Sequence, residues 1–512
     1  MTLPISGGPG KPQVFVLLAI MVALFPPFLQ AAGDTQVRIA QGVLAGTAAD
    51  GVLSFKGIPY AAPVVGENRW RPPQPAAPWE GNRAAAAFGP ACPQPQRRDR
   101  RTGIGRTSED CLSLNVWAPA GAKDAPVMVW IHGGAFRIGA SSQRGYDGAS
   151  FARRGVVLVT VNYRLGRLGI FAHPALAESG NFSLMDQVAA LEWVQANVAA
   201  FGGNPGNVTI FGESAGGASV LHLLTADGTG GLFHRAILQS GGGHQLNGHL
   251  SRQRLGKPSL LDQGIRFAGS LDAAGLRAMP LGKVIDEGTL GGGVGSVAPV
   301  IDGHLVTRDP GLKLAAGAFQ HVPVLVGANS FEASVLAAFG TTPEQAVAAA
   351  KVDPDRYAAL YPDGDASAAW GDAAFVAGAR HVARSVANRN LPAYLYHFDY
   401  VPEVRRGKVP GAAHGADVLY VFDALDAVPV VSRFLTDEDR AFAARVQSYW
   451  VNFARNGDPN GEGLPHWPRY DASTDELLFL GEEIGVRRHF RAPQLDFHQA
   501  RWEQAERLAG AP

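Results

Sequence analysis

The run Phe201–Gly217, FGGNPGNVTIFGESAGG, constrains this chain more than any other stretch. Val208 to Phe211 is β-branched and aromatic, the composition of a buried strand. Gly212-Glu213-Ser214-Ala215-Gly216 follows at once, and Ala218 to Leu224 reads as helix. A serine on a strand-to-helix turn, with glycine two residues to either side, is a nucleophile elbow. Such a turn forces strained backbone angles on Ser214, and a side chain at Gly212 or Gly216 would collide with neighbouring backbone. The hydroxyl is lifted clear of the sheet at a helix N-terminus, where backbone N–H groups can stabilise an oxyanion.

The flanking pattern supplies a sheet for this turn to stand on. Leu112–Trp117, Val127–His132, Val156–Asn162, Arg235–Gln239, Val322–Gly327 and Ala393–Phe398 read as strands. Leu184 to Phe201 repeats apolar residues every three or four positions, as an amphipathic helix does. Strands alternating with helices imply an α/β fold with a large, mostly parallel sheet covered on both faces. Gln36–Ile58 reads as small antiparallel strands at a sheet edge, and Pro59–Gly81, with Trp70 and Trp79, as an ordered, packed loop. Gly242–Val297 has weaker periodicity and a glycine cluster at Gly291–Gly295, so helices and loops lying over the sheet as a cap are expected. Ala349–Asn390 reads as helical and peripheral, and Gln94–Arg106 as an arginine-rich, solvated loop tip.

A serine hydroxyl needs a general base, and that base needs an acid to orient it. Both belong in loops after strands, because ligands meet the carboxyl ends of parallel strands. The loop leaving Val322–Gly327 delivers Glu332 to that edge. Six histidines follow it: His381, His397, His414, His466, His489 and His498. His414 lies among small residues, Gly411-Ala412-Ala413-His414-Gly415, which leaves an imidazole room to reach Ser214. The residues alone leave the other five open.

The stretch from Phe201 through Gly216 resembles the active-serine signature of the type-B carboxylesterases, the α/β-hydrolase family that includes the cholinesterases. Asn162-Tyr163-Arg164 with Gly166 and Gly169, Asp186-Gln187, Pro299–Gly303 and Tyr449–Pro459 match as well, so the resemblance spans roughly residues 36 to 500. It implies an α/β-hydrolase fold with helical cap insertions and a catalytic set of Ser214, Glu332 and His414. The family pattern of strand, Gly-x-Asn and glutamate fits Gly327, Asn329 and Glu332, while Phe331 and Ala333 depart from its usual aspartate and glycine. The family's histidine–glycine motif selects His414, with Asp417 where glutamate is common. Its glycine-rich loop falls on His132-Gly133-Gly134-Ala135-Phe136. Gly134, Ala135 and Ala215 would donate to the oxyanion, and Gly133 would give the turn. Glu213 and Ser240 fall where the family has a carboxylate network behind the histidine, although Glu213 also reads as an acid favouring a helix N-terminus.

The resemblance also implies a bridge between Cys92 and Cys111, the chain's two cysteines, ahead of Glu109-Asp110-Cys111-Leu112. An export context favours the same pairing. Lys11 precedes an apolar run, Val14 to Phe25, and Ala31-Ala32-Gly33 offers a small-residue cleavage site. Residues 1–33 are therefore read as a signal peptide, 34–512 as a single domain, and the protein as secreted or periplasmic. The apolar run is too short for a comfortable membrane span. Forty-five basic and 45 acidic residues cancel, so charge points to no nucleic-acid partner.

The expected activity is hydrolysis of small-molecule carboxylic esters through an acyl-enzyme, with neither metal nor organic cofactor. An amidase or carbamate hydrolase would use the same residues, and a non-catalytic adhesion relative is the rival from another class. No aromatic residue lies between Cys92 and Cys111 to rest a quaternary ammonium on. Neutral acyl esters are expected over choline esters.

Overall fold

A computed structural model describes residues 35–95, 104–178, 180–285, 297–350, 352–427 and 432–510. The leader reading of 1–33, the centre of the arginine-rich tip and the cluster Gly291–Gly295 lie outside the described residues. Among the described residues the main sheet has eleven strands. In chain order they are β1 (Thr47–Ala49), β2 (Val52–Pro59), β3 (Ser113–Pro119), β4 (Ala125–Ile131), β5 (Val157–Val161), β6 (Gly203–Glu213), β7 (Arg235–Gln239), β8 (Val324–Asn329), β9 (Ala393–Phe398), β10 (Glu476–Leu480) and β11 (Ile484–Arg488). Their spatial order is β1-β2-β3-β5-β4-β6-β7-β8-β9-β10-β11. From β5 through β10 neighbours run parallel. The remaining pairs are antiparallel.

Central strands of such a sheet are covered on both faces, so both side-chain sets must be apolar. Val127, Val129 and Ile131 of β4 join one core while Met128 and Trp130 join the other. The alternation is the two-residue period of a strand. Helix α1 (Phe182–Asn197), helix α2 (Ala215–Thr225) and helix α3 (Ala377–Ala387) cover the first face, contributing Leu191, Val220, Leu224 and Val382. Helix α4 (Asp437–Asn456) covers the second with Phe442, Val446, Trp450 and Phe453. Three short helices, Leu260–Ala268, Ala273–Arg277 and Leu281–Val284, lie in the expected cap region. No helix of the described residues is long and apolar enough to cross a membrane.

The structure corrects two expectations. Helix α3 is buried rather than peripheral, because its small residues permit close approach: a Cβ at Gly378 would sit 2.6 Å from the Gly243 nitrogen. Beyond the elements expected from the sequence, the C-terminal region forms α4, β10, β11 and helix α5 (Ala492–Gly510). Helix α1 is not amphipathic in the usual sense, since Asp186 and Gln187 are buried alongside its apolar residues. Asp186 is held there by Arg164 through contacts of 2.7 and 2.8 Å. A buried pair of this kind is stable only when its lone pairs are satisfied, and here Arg164 also donates its backbone N–H to Asp186.

After β4 the chain crosses to β5 and then returns to the other side of β4 as β6. Loops leaving β4 and β6 therefore run in opposite directions, which opens a crevice at their carboxyl ends. Gly133 and Ser214 stand at those two ends.

Candidate active site

Ser214 has φ 56° and ψ −120° at the N-cap of α2, a region that side chains rarely occupy. The turn can be that tight only because of its glycines. A Cβ at Gly212 would lie 2.6 Å from Ile131 O, and one at Gly216 would lie 2.0 Å from the same oxygen. The Ser214 N–H is anchored to Gln239 O on β7 at 2.9 Å.

The glycine loop after β4 closes against this elbow. A Cβ at Gly133 would come within 3.2 Å of the Ser214 Cβ and 2.8 Å of Glu213 O. Gly134, Ala135 and Phe136 have φ of 115°, 57° and 58°. Gly134 O accepts the N–H groups of Arg137 at 3.0 Å and Ile138 at 3.1 Å, which holds the coil. Among the described residues the N–H groups of Gly134 and Ala135 donate to no backbone carbonyl. The N–H of Ala215, in the first turn of α2, has no intrahelical acceptor. His132 anchors the loop from behind. It stacks on Tyr163 at 4.4 Å, and Tyr163 donates its hydroxyl to His132 O at 2.7 Å. Burial pushes the imidazole of His132 down to about 4, so it stays neutral.

Glu332 and His414 meet at the next loops along. The His414 Nδ1 contacts the Glu332 carboxylate directly. Glu332 is 1% exposed, and its other oxygen accepts the Ser240 hydroxyl at 2.5 Å and the Asn329 N–H at 2.7 Å. Two hydrogen bonds bind the acid loop to the histidine loop: the Phe331 N–H donates to Ala412 O, and the Ala412 N–H donates to the Ser330 hydroxyl, both at 2.9 Å. The His414 N–H donates to Ser334 Oγ at 2.8 Å.

The other ring nitrogen, Nε2, lies 3.1 Å from Glu213 Oε1, and among the described residues the Ser214 hydroxyl makes no hydrogen bond. Ser214, His414 and Glu213 nevertheless line one cavity with Gly134 and Ala135. Burial alone would lower His414, but the carboxylates of Glu213 and then Glu332 override it and hold the imidazole well above its ordinary range. Burial pushes Glu213 up as well, with Asp417 and Glu332 adding to the rise against the pull of His414. The two groups therefore compete for a proton across 3.1 Å.

Asp417 was read in the sequence only as a departure from the family pattern, and Phe375 was missed. Asp417, fully buried, accepts Gln239 Nε2 at 2.7 Å and Asn329 Nδ2 at 3.2 Å, tying β7 and β8 to the histidine loop. Phe375 packs 5.0 Å from the His414 ring from a segment that read as peripheral. The signal of Phe375 in the sequence was weak, since a phenylalanine in an alanine-rich helix is common. Cys92 and Cys111 are joined by a disulfide. Among the described residues no group of three or more histidine, cysteine or acidic side chains could hold a metal ion.

The carboxylesterase family model matches residues 33–363 and 364–498. Fumonisin B1 esterase of Sphingopyxis macrogoltabida is 35% identical over 480 residues, covering 87% of this chain and 86% of that protein. Para-nitrobenzyl esterase of Bacillus subtilis (strain 168) is 35% identical over 485 residues, covering 88% and 95%. Cocaine esterase of Homo sapiens is 34% identical over 500 residues, covering 89% and 87%. A solved structure of PNB esterase superposes with a TM-score of 0.79 at 32% identity, over 90% of this chain and 99% of that one. The fold is that of the α/β-hydrolases, and the chain belongs to the carboxylesterase family, as a carboxylic ester hydrolase.

Proposed function

We propose that residues 34–512 act as an exported serine carboxylesterase working through an acyl-enzyme on Ser214. The observation that carries this reading is His414, buried beside Ser214 with Glu332 against its Nδ1. Binding of an ester draws Nε2 away from Glu213 and toward the serine hydroxyl; hydrogen bonds of this kind often tighten only in the substrate complex. Ser214 Oγ attacks the carbonyl carbon as its proton passes to His414 Nε2. Glu332 keeps Nδ1 protonated and steadies the imidazolium. The tetrahedral oxyanion is met by the N–H groups of Gly134, Ala135 and Ala215, which are already oriented and lose nothing to reorganisation. Collapse expels the alcohol, which takes the proton from His414. A water molecule repeats the sequence on the acyl-enzyme and releases the acid.

Ser214→Ala tests this. The folded variant should lose turnover of aryl esters, and a fluorophosphonate probe should label wild type once and the variant not at all. Labelling that survives the substitution would refute the assignment. Export rests on the apolar run Val14–Phe25 and on a disulfide, which persists in oxidising compartments. N-terminal sequencing of protein from the extracytoplasmic fraction should begin near Asp34, and a product retaining Met1 in the cytosol would overturn it.

A further inference from the structure

The cavity that holds Ser214 and His414 also carries two arginines that the mechanism above does not use. It has a volume of about 390 Å³, and much of its wall is apolar, with Ile138, Val335, Phe339, Phe375 and Leu419. Arg137 and Arg144 line it as well. Arg137 follows closely on Ala135 of the oxyanion loop and is 3% exposed, so its charge is set into the wall. Arg144 opens the short turn Arg144–Tyr146 and is exposed, so its charge stands toward the mouth. Among the described residues Arg144 takes part in no ion pair. Glu213 is the one acidic side chain among the described residues that lines the cavity.

An apolar cleft with cations along one flank suits an ester that has a carbon skeleton near the scissile bond and an anion further out. A cationic or purely polar substrate would gain nothing from that arrangement. We propose that this site is built for esters carrying a free carboxylate, such as half-esters of dicarboxylic acids, with Arg137 and Arg144 as the residues that select them. The inference rests on the reading of Ser214 and His414 as the reacting pair and refines the expectation of neutral esters.

Matched substrate pairs test the proposal, each pair differing only by carboxylate against carboxamide. Monoethyl adipate against ethyl 5-carbamoylpentanoate places the charge on the acyl side. 4-(Butyryloxy)benzoate against 4-(butyryloxy)benzamide places it on the alcohol side. A charge-assisted contact is worth about tenfold or more in kcat/KM, so the anionic member of at least one pair should be preferred by that factor. The preference should shrink as ionic strength rises. In Arg144→Gln and Arg137→Gln the anionic-to-neutral ratio should fall severalfold toward unity. Should the buried Arg137 variant fail to fold, the exposed Arg144 variant and the salt titration decide. A preference below about threefold in both pairs, or one that survives both substitutions, overturns the proposal while turnover of the neutral members leaves ester hydrolysis standing. Turnover of no member of either pair would instead sink the ester-hydrolase reading on which the proposal rests.

Discussion

Replacing Glu213 with glutamine should move the acid limb of the pH–rate profile downward. The proposed mechanism needs His414 neutral, and the limb in kcat/KM then reports loss of its proton in the free enzyme. The carboxylate of Glu213 lies 3.1 Å from His414 Nε2 and opposes that loss. At an effective dielectric constant of about 20, unit charges at that separation attract by about 5 kcal/mol, or roughly four pH units at 1.36 kcal/mol each. Burial of the imidazolium works against most of this. What remains, with Glu332 adding through its charge and its hydrogen bond, is a rise from 6.5 to about 9. The charge of Glu213 is the largest single raising cause. Removing its charge should therefore bring the limb down by about one to two pH units.

The sign follows from which form is stabilised. A raised histidine pKa keeps the inactive imidazolium to higher pH, so activity is lost below the raised value. Glutamine restores the neutral imidazole at lower pH and widens the active range toward acid. The assay is kcat/KM for a neutral aryl ester from about pH 5 to 10, with circular dichroism at each pH and Glu213→Asp as a charge-preserving control. The limb's position is the readout, because the amplitude also reflects how well His414 is oriented. A limb that stays within about 0.3 of wild type, or that rises, would refute the reasoning and show that Glu213 is already neutral when His414 titrates.

Two other substitutions probe the site and its frame. Glu332→Gln should leave a folded protein with kcat lowered by about a thousandfold or more, because His414 loses both its counter-charge and its tautomer; activity within a few-fold of wild type in a single-turnover assay would mean another carboxylate is the acid. His397 is buried on β9 between Phe479 and Phe490, with Nδ1 unpartnered among the described residues, and burial pushes it down to about 3. The unfolded chain takes up a proton near 6.5 that the folded state refuses, so stability falls by about 1.4 kcal/mol per pH unit on acidification between those values. His397→Phe should remove that dependence, giving denaturation midpoints less sensitive to pH between about 6 and 4. Equal slopes in variant and wild type would count against it.

What could be read from the sequence is what local sterics dictate. The elbow is legible because Gly212 and Gly216 face Ile131 O at distances no Cβ tolerates, and a glycine requirement leaves a mark on any one sequence. The parallel strands are legible because burial on both faces demands unbroken apolar runs. His414 could not be singled out in that way. Its meeting with Glu332 spans 82 positions and depends on contacts between two loops that carry no periodic pattern. The same holds for α3, whose burial follows from where the chain returns and not from its own composition.

The two departures from the family pattern around Glu332 show why position matters more than identity there. Phe331 stands where aspartate is usual, yet its role in joining the loops falls to its backbone, through the N–H to Ala412 O and the bridge to Ala413. Any residue can supply that contact. Ala333 stands where glycine is usual and is buried at 3% exposure inside the turn Glu332–Phe339, a right-handed coil that asks for no positive φ at that residue. Asp417 stands where glutamate is common, and Gln239 and Asn329 reach its carboxylate from β7 and β8. Each departure falls where the backbone or a neighbour carries the interaction. The carboxylate of Glu332 and the ring of His414 have no such substitute in the proposed mechanism, because the ring must itself carry the proton from Ser214 to the leaving alcohol and the carboxylate must hold Nδ1 protonated and balance the imidazolium.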